Sequence, residues 1–295
     1  MEMKLEVREA FRANCTLGEG PVWDAPNQLL WFVDIKRHQL WRFDPATGEA
    51  TSAEAPGQIG WALPAEDGRL LCGLQSGLCT FDPEQRAFEP LCAIPGEPAG
   101  NRSNDACTDP HGRVFMGTMD DNEDAPTGRF YCFDRGTITP AGPAEIAITN
   151  GPAISPDGGT IYFTSTLGQA IHAADLHEDG TVGETRLFAD TAEHLPDAHP
   201  DGPVVDAEGH VWSAFSGGSC LIRFAPDGTP VARVPMLTAN ITKLAFGGPD
   251  LTTAYVTTAR SGLSEAELAA QPLAGSLLAF EAQVAGFAQP LVKLA

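Results

Sequence analysis

One short phrase recurs six times along this chain, beginning at Glu19, Gly60, Asn104, Asn150, Asp201 and Thr242. Each copy opens on a polar or small residue and continues through a mostly apolar or small stretch. Asp or Ser is frequent at the sixth place, a turn residue stands at the ninth, and an apolar or aromatic run follows. The phrase is clearest in Glu19-Gly-Pro-Val-Trp-Asp24 with Asn27 and in Asn104-Asp-Ala-Cys-Thr-Asp109 with Gly112. It returns in Asn150-Gly-Pro-Ala-Ile-Ser155 with Gly158 and in Asp201-Gly-Pro-Val-Val-Asp206 with Gly209. Successive starts lie 41, 44, 46, 51 and 41 residues apart, the length of one four-stranded propeller blade. An all-β, six-bladed β-propeller of antiparallel blades is therefore expected. Blades that begin in phase begin at one radius, so the recurring position points at a common axis. In four of the six copies that position carries a carboxylate or carboxamide: Glu19, Asn104, Asn150 and Asp201.

The rest of the chain agrees with this architecture. Its 295 residues include 31 Gly and 24 Pro, with 43% hydrophobic residues, which suits many short strands joined by turns. Residues 1–295 are expected to form one domain, because repeats of this size share a continuous core. Leu29-Leu-Trp-Phe-Val33, Gln39-Leu-Trp-Arg-Phe43, Arg113-Val-Phe-Met-Gly117, Arg129-Phe-Tyr-Cys-Phe133, Thr160-Ile-Tyr-Phe-Thr164 and His210-Val-Trp-Ser-Ala214 read as strands bounded by turn residues. Only Ser264 to Gln271 reads as a helix, with Ser264 and Glu267 spaced as a capping box. It is expected as an insertion in the last blade.

Charge and hydropathy exclude several functions. A net charge of −21 lacks the clustered Lys and Arg of a nucleic-acid footprint. No stretch reaches the ~18 apolar residues of a membrane span. The N-terminal decapeptide alternates charge where a signal peptide needs an apolar core. Seven scattered cysteines without a C-x-x-C pair fit a reducing compartment, where Cys serves as a small hydrophobe. A cytoplasmic protein, monomeric or a small homo-oligomer, is expected.

Oxygen donors gathered at one axis make a case for a divalent cation. Two carboxylates and a carboxamide balance its charge and leave positions open for water and substrate. Asp and Asn also favour turns ahead of strands; agreement of phase across blades sets this group apart. No Gly-x-Ser-x-Gly elbow occurs, and no histidine falls at the axial position, which leaves a Ser-His-Asp triad without support.

Several ordered motifs carry a resemblance beyond the repeat: Leu17-Gly-Glu19-Gly-Pro21-Val-Trp, Asn101-Arg102-Ser-Asn104-Asp105, Gly117-Thr-Met119, Thr149-Asn150-Gly-Pro152, Pro200-Asp201-Gly202 and Phe246-Gly-Gly-Pro-Asp250. With them the chain resembles, nearly end to end, the SMP-30/gluconolactonase/luciferin-regenerating-enzyme family. The resemblance implies a six-bladed propeller holding one divalent ion through Glu19, Asn150 and Asp201, with Arg102 and Asn104 contacting substrate. It implies a metal-dependent lactonase acting on a small sugar lactone, in which a metal-activated water attacks the carbonyl and Asp201 is both ligand and candidate base. Fe²⁺, Mn²⁺, Ca²⁺ and Zn²⁺ all suit the donor set. A phosphotriesterase-like hydrolase and a non-catalytic cation-binding propeller are the alternatives.

Secondary expectations concern the surroundings. The acidic run Asp120-Asp121-Asn122-Glu123-Asp124 falls where the family has a lid. It is expected to be largely a solvated charge run, with Asp121 a candidate contact for a sugar hydroxyl. Ser165 replaces an Asp frequent among relatives near Asn150. The copies lacking an oxygen-rich first residue, at Gly60 and Thr242, are expected to form the open side through which the lactone enters. Trp61 either walls the pocket or packs in the core.

Overall fold

The computed structural model describes residues 2–295. Six four-stranded antiparallel sheets account for all of its strands. Their first strands are Gly18–Asp24, Ile59–Pro64, Asn101–Thr108, Thr149–Ile154, His199–Val205 and Ile241–Gly247, defining blades 1 to 6. Each first strand contacts those of the two neighbouring blades, and that of blade 6 contacts that of blade 1, so the six ring a central axis. The expected six-bladed propeller is what forms.

Each blade runs outward from this ring in chain order. In blade 1, Gly18–Asp24 pairs Leu29–Asp34, then Gln39–Asp44, then Glu49–Glu54 at the rim. Burial follows the same order. Gly18–Asp24 is buried throughout, whereas Glu49–Glu54 is half-buried or exposed. This is why aromatic and aliphatic residues crowd the second and third strands, where both faces meet neighbouring blades. The ring is closed by both ends of the chain. Blade 6 takes Thr253–Thr258 and Leu277–Glu281 from the C-terminal part and Arg8–Phe11 from the N-terminal part, with Arg8 opposite Ala279. The capped helix Glu265–Ala270 inserts between two strands of this blade, as expected, and Ser264 with Glu267 completes its capping box.

The recurring phrase has two separate jobs. Its sixth place is structural. Asp206, fully buried, accepts backbone N–H groups of Glu208 and His210, the Trp212 indole at 2.8 Å and Arg223 Nε at 2.7 Å. It thus ties the hairpin turn to the next two strands. Asp24 and Asp109 hold the corresponding turns of blades 1 and 3.

The first place sits at an irregularity of the sheet. In every blade the pairing of the first strand with the second slips at that point: between Glu19 and Val22, Ile59 and Trp61, Ser103 and Ala106, Asn150 and Ala153, Asp201 and Val204, and Ile241 and Lys243. A bulge of this kind bends the strand and re-aims a side chain. Six bulges recur in phase, and five of the first-place residues, Glu19, Asn104, Asn150, Asp201 and Thr242, converge on one cavity.

Candidate active site

One mouth of the axial channel opens into a cavity of about 380 Å³. Glu19, Arg102, Asn104, Asn150 and Asp201 all line it. The structure therefore brings together five of the six expected site residues. Asp121, the sixth, stands behind Arg102 and does not line the cavity. Each of the five is held on the first strand of its blade, buried to within a few per cent, so its position is fixed by the sheet ladder rather than by a loop.

Glu19 and Asp201 have few partners. Oε2 of Glu19 accepts the N–H of Gly20 at 2.9 Å, and Oδ1 of Asp201 accepts the N–H of Gly202 at 2.8 Å. The other oxygen of each accepts nothing from the described residues. Burial, followed by the charges of Asp201 and Asp105, pushes the Glu19 carboxyl well above the usual range. Burial likewise raises Asp201 to about 7, with Asp105 adding to it and the Gly202 N–H opposing it. Two buried carboxylates that repel each other and lack an ion-pair partner are an incomplete arrangement.

A hydrogen-bond chain runs round the other side of the cavity. Arg102 Nη1 donates to Asn104 Oδ1 at 2.6 Å, and Asn104 Nδ2 donates to Asn150 Oδ1 at 2.9 Å. Asn150 Nδ2 donates to Thr166 Oγ1 at 2.9 Å, and Thr166 donates to the carbonyl of Pro200 at 3.0 Å. The chain thus links blades 3, 4 and 5 and ends beside Asp201. Every amide in it has a defined orientation, with the Asn150 oxygen on the Asn104 side. Arg102, 2% exposed, gives Nε to Asp121 at 2.9 Å and Nη1 to Asn104 and the Ser103 carbonyl. Its Nη2 donates to no group among the described residues. Burial lowers the Arg102 pKa, while Asp121 opposes that fall.

Asp121 is more than part of a solvated charge run. Oδ1 takes Lys36 Nζ at 2.6 Å as well as Arg102, and Oδ2 takes Gln58 Nε2 at 2.8 Å. Burial alone would raise its carboxyl, but the Lys36 and Gln58 hydrogen bonds outweigh this and hold it below the usual value. With both oxygens engaged by three blades, Asp121 anchors Arg102. Lys36 itself lines the cavity.

Other expectations need correction. Gly60 is not an open side. A Cβ there would lie 2.5 Å from the Ser103 carbonyl oxygen, so the missing side chain makes room for the blade 3 backbone, and Gly60 does not line the cavity. Thr242 does line it, but its hydroxyl is tied to the Gly18 carbonyl at 2.7 Å. The partner of Asn150 is Thr166, one residue beyond Ser165. Trp61 is a buried core residue. It borders a separate enclosed space further down the axis, not the cavity. His199 lines the cavity, with Nδ1 buried and unpartnered.

Thr166, Lys36 and Gln58 were invisible to motif reasoning, since none stands in the repeat. A signal for two more was present. The place after the recurring residue reads Gly20, Trp61, Asp105, Gly151, Gly202 and Lys243, three glycines interleaved with three large side chains.

A divalent ion fits the donor set. Among the described residues no three His, Cys, Asp or Glu side chains form a ready-made cluster. The set here is two carboxylates plus the carboxamide of Asn150, hard oxygens suited to such an ion. Each carboxylate keeps an oxygen without a protein hydrogen bond, and together they lack the positive charge that an ion would bring.

Comparison with known proteins places the chain in a family. The family model described as SMP-30/Gluconolactonase/LRE-like region matches residues 17–260. A 6-deoxy-6-sulfogluconolactonase of Pseudomonas putida is 33% identical over 280 residues, covering 95% of this chain and 96% of its own. A pentonolactonase of Haloferax volcanii is 35% identical over 259 residues, 86% of each chain. The crystal structure of a calcium-binding protein, regucalcin, from Agrobacterium tumefaciens superposes with a TM-score of 0.94 at 29% identity over 98% of both chains. With a family model spanning the ring from blade 1 into blade 6, and relatives matched over nearly their whole length, the chain belongs to the SMP-30/gluconolactonase/LRE-like family.

Proposed function

We propose that this protein is a lactone hydrolase, a carboxylic ester hydrolase that opens a sugar lactone to its hydroxy acid with the help of one divalent ion. The observation that carries the reading is the pairing, in one cavity, of two uncompensated buried carboxylates with an arginine whose Nη2 is unspent. A cation-binding site alone has no use for Arg102 in that posture. The relatives named for sulfogluconolactone and pentonolactone hydrolysis support an aldonolactone as the substrate class.

Glu19, Asn150 and Asp201 would hold the ion, which supplies Lewis acidity toward the lactone carbonyl and lowers the pKa of water. Arg102 presents its two Nη2 N–H donors to acceptor oxygens of the sugar, and Asp121 locks the plane of that fork. Asn104, committed to Asn150 and Arg102, sets the spacing between the two halves of the site. Asp201 is the base: its free Oδ2 takes a proton from the attacking water. The water oxygen bonds to the carbonyl carbon, the acyl–oxygen bond of the ring breaks, and the proton passes to the departing ring oxygen.

The test is acid release in a pH-stat. Chelated protein would be challenged with pentono-, hexono- and sulfo-substituted aldonolactones and an organophosphate triester, then resupplied with Mn²⁺, Ca²⁺, Zn²⁺ or Fe²⁺. Metal-restored hydrolysis of an aldonolactone, abolished in Asp201→Ala, is expected. Absence of metal-dependent acid release from every lactone would falsify the reading.

A further inference from the structure

Directly below the cavity, in the next layer down the axis, lies an ion pair that the chemistry above does not use. Lys243 follows the recurring position of blade 6 and Asp105 follows that of blade 3. In a ring of six these blades face each other, so the Lys243 side chain spans the axis to reach Asp105. Lys243 Nζ donates to Asp105 Oδ1, and both residues are buried, at 6% and 1% exposure. The same carboxylate accepts the Gly151 N–H through Oδ2 at 2.9 Å and the Ala106 N–H through Oδ1 at 2.7 Å.

One glycine of this layer leaves room for the pair: a Cβ on Gly202 would lie 2.5 Å from Cβ and Cγ of Lys243, whereas one on Gly20 would meet the Gly60 carbonyl oxygen at 3.1 Å and one on Gly151 the Pro203 ring at 2.8 Å. Lys243 therefore packs on the residue after Asp201, and Asp105 is bonded to the residue after Asn150. The pair borders the space of about 40 Å³ beneath and does not itself line the cavity.

We propose that Lys243 and Asp105 are positioning residues for the cation site: a charge-neutral floor that fixes two of its ligand strands and sets its electrostatic balance. Asp105 alone would add a third carboxylate charge beneath Glu19 and Asp201, and Lys243 cancels it with an internal ammonium. The net charge offered to a divalent ion is then that of two carboxylates. The inference rests on the ion site proposed above.

Because the two members carry opposite charge close to the ion, removing either one shifts ion affinity in opposite directions. A packing role alone makes both changes harmful. The test is isothermal titration of full-length, chelator-treated protein with Mn²⁺ and, separately, Ca²⁺. Asp105→Asn is expected to weaken binding at least about tenfold, and Lys243→Met to tighten it by about threefold or more. The double variant, which restores neutrality and keeps an acceptor for Gly151, returns to within about threefold of the native chain. Thermal unfolding in chelator verifies that each variant is folded. Should Lys243→Met fail to fold, Asp105→Asn and its restoration by the double variant still decide the matter. Single variants that shift affinity in the same direction, or a double variant that fails to recover, overturn the proposal while leaving the ion site intact. A native chain that binds neither these ions nor Zn²⁺ or Fe²⁺ overturns both.

Discussion

The carboxamide of Asn104 donates to the carboxamide oxygen of Asn150 at 2.9 Å, coupling the arginine half of the site to the carboxylate half. That bond requires Asn150 to keep its oxygen toward Asn104, and what enforces the orientation is Thr166, which accepts from Asn150 Nδ2 at 2.9 Å. Thr166→Val keeps the shape but removes the acceptor, leaving a buried amide N–H unpaired at a cost of about 1–3 kcal/mol. The expected result is a roughly tenfold or greater loss of divalent-ion affinity by titration calorimetry, with a parallel fall in kcat/KM. Unchanged ion affinity would show that Thr166 does not orient the ligand.

Glu19 and Asp201 repel each other inside the ion-free protein, so function and stability should part company there. Glu19→Gln removes one ligand charge and also one buried, unpaired carboxylate. Lactonase activity is expected to fall by about a thousandfold or more, while the chelated variant gains about 1–3 kcal/mol over the chelated native chain at pH 8. Urea unfolding in EDTA, with native and variant side by side, measures this. A variant less stable than the native chain in EDTA contradicts the account of strain at the site.

The sequence disclosed the propeller because its blades are covalently phased: a six-fold repeat constrains every strand at once, and the Asp or Ser at the sixth place marks a turn in each clear copy. It disclosed the axial oxygens for the same reason, since the bulge that aims Glu19 or Asp201 recurs with the repeat. What it hid lies outside the period. Lys36 and Gln58 reach Asp121 across blades, Thr166 joins Asn150 of its own blade to the Pro200 carbonyl of the next, and nothing in a local pattern indicates such meetings. Gly60 misled for a different reason: a missing side chain reads as open space, but here the space is filled by the Ser103 carbonyl. Asp105 and Lys243 lie between these extremes, phased with the repeat yet recognisable as a pair only once blades 3 and 6 are seen to face each other.

Ion-induced stabilisation should depend on pH, in a direction set by the raised carboxyls. In the ion-free protein Asp201 titrates near 7 instead of at its ordinary 3.8, because of burial, and Glu19 is raised as well. A carboxyl raised in the folded state favours folding when protonated. That contribution is complete below the unfolded pKa and is lost as pH rises through about 7. Chelated protein is therefore expected to lose stability between pH 5 and pH 8, whereas an ion must displace protons at the acid end and binds best at the alkaline end. Melting curves with and without Mn²⁺ should show an ion-induced rise in Tm that is small at pH 5.5 and grows toward pH 8. A rise that is independent of pH would mean that these carboxyls are not the ligands.

Asp121 was a candidate sugar contact within a run expected to be largely solvated, and its side chain is bonded to three protein groups. Its oxygens are taken by Lys36, Gln58 and Arg102, leaving Arg102 as the group with donors to spare. If Asp121 acts only by holding Arg102, losing both residues costs no more than losing Arg102. Arg102→Ala should lower kcat/KM by about 100-fold, as expected for a charged hydrogen bond to substrate, and Asp121→Ala by about tenfold. The double variant should match Arg102→Ala within about threefold, where independent contacts would multiply to about a thousandfold. A lactone lacking the hydroxyl bound by Arg102 adds a second check, since Asp121→Ala should then lose most of its effect. Multiplicative losses in the cycle would return Asp121 to the sugar.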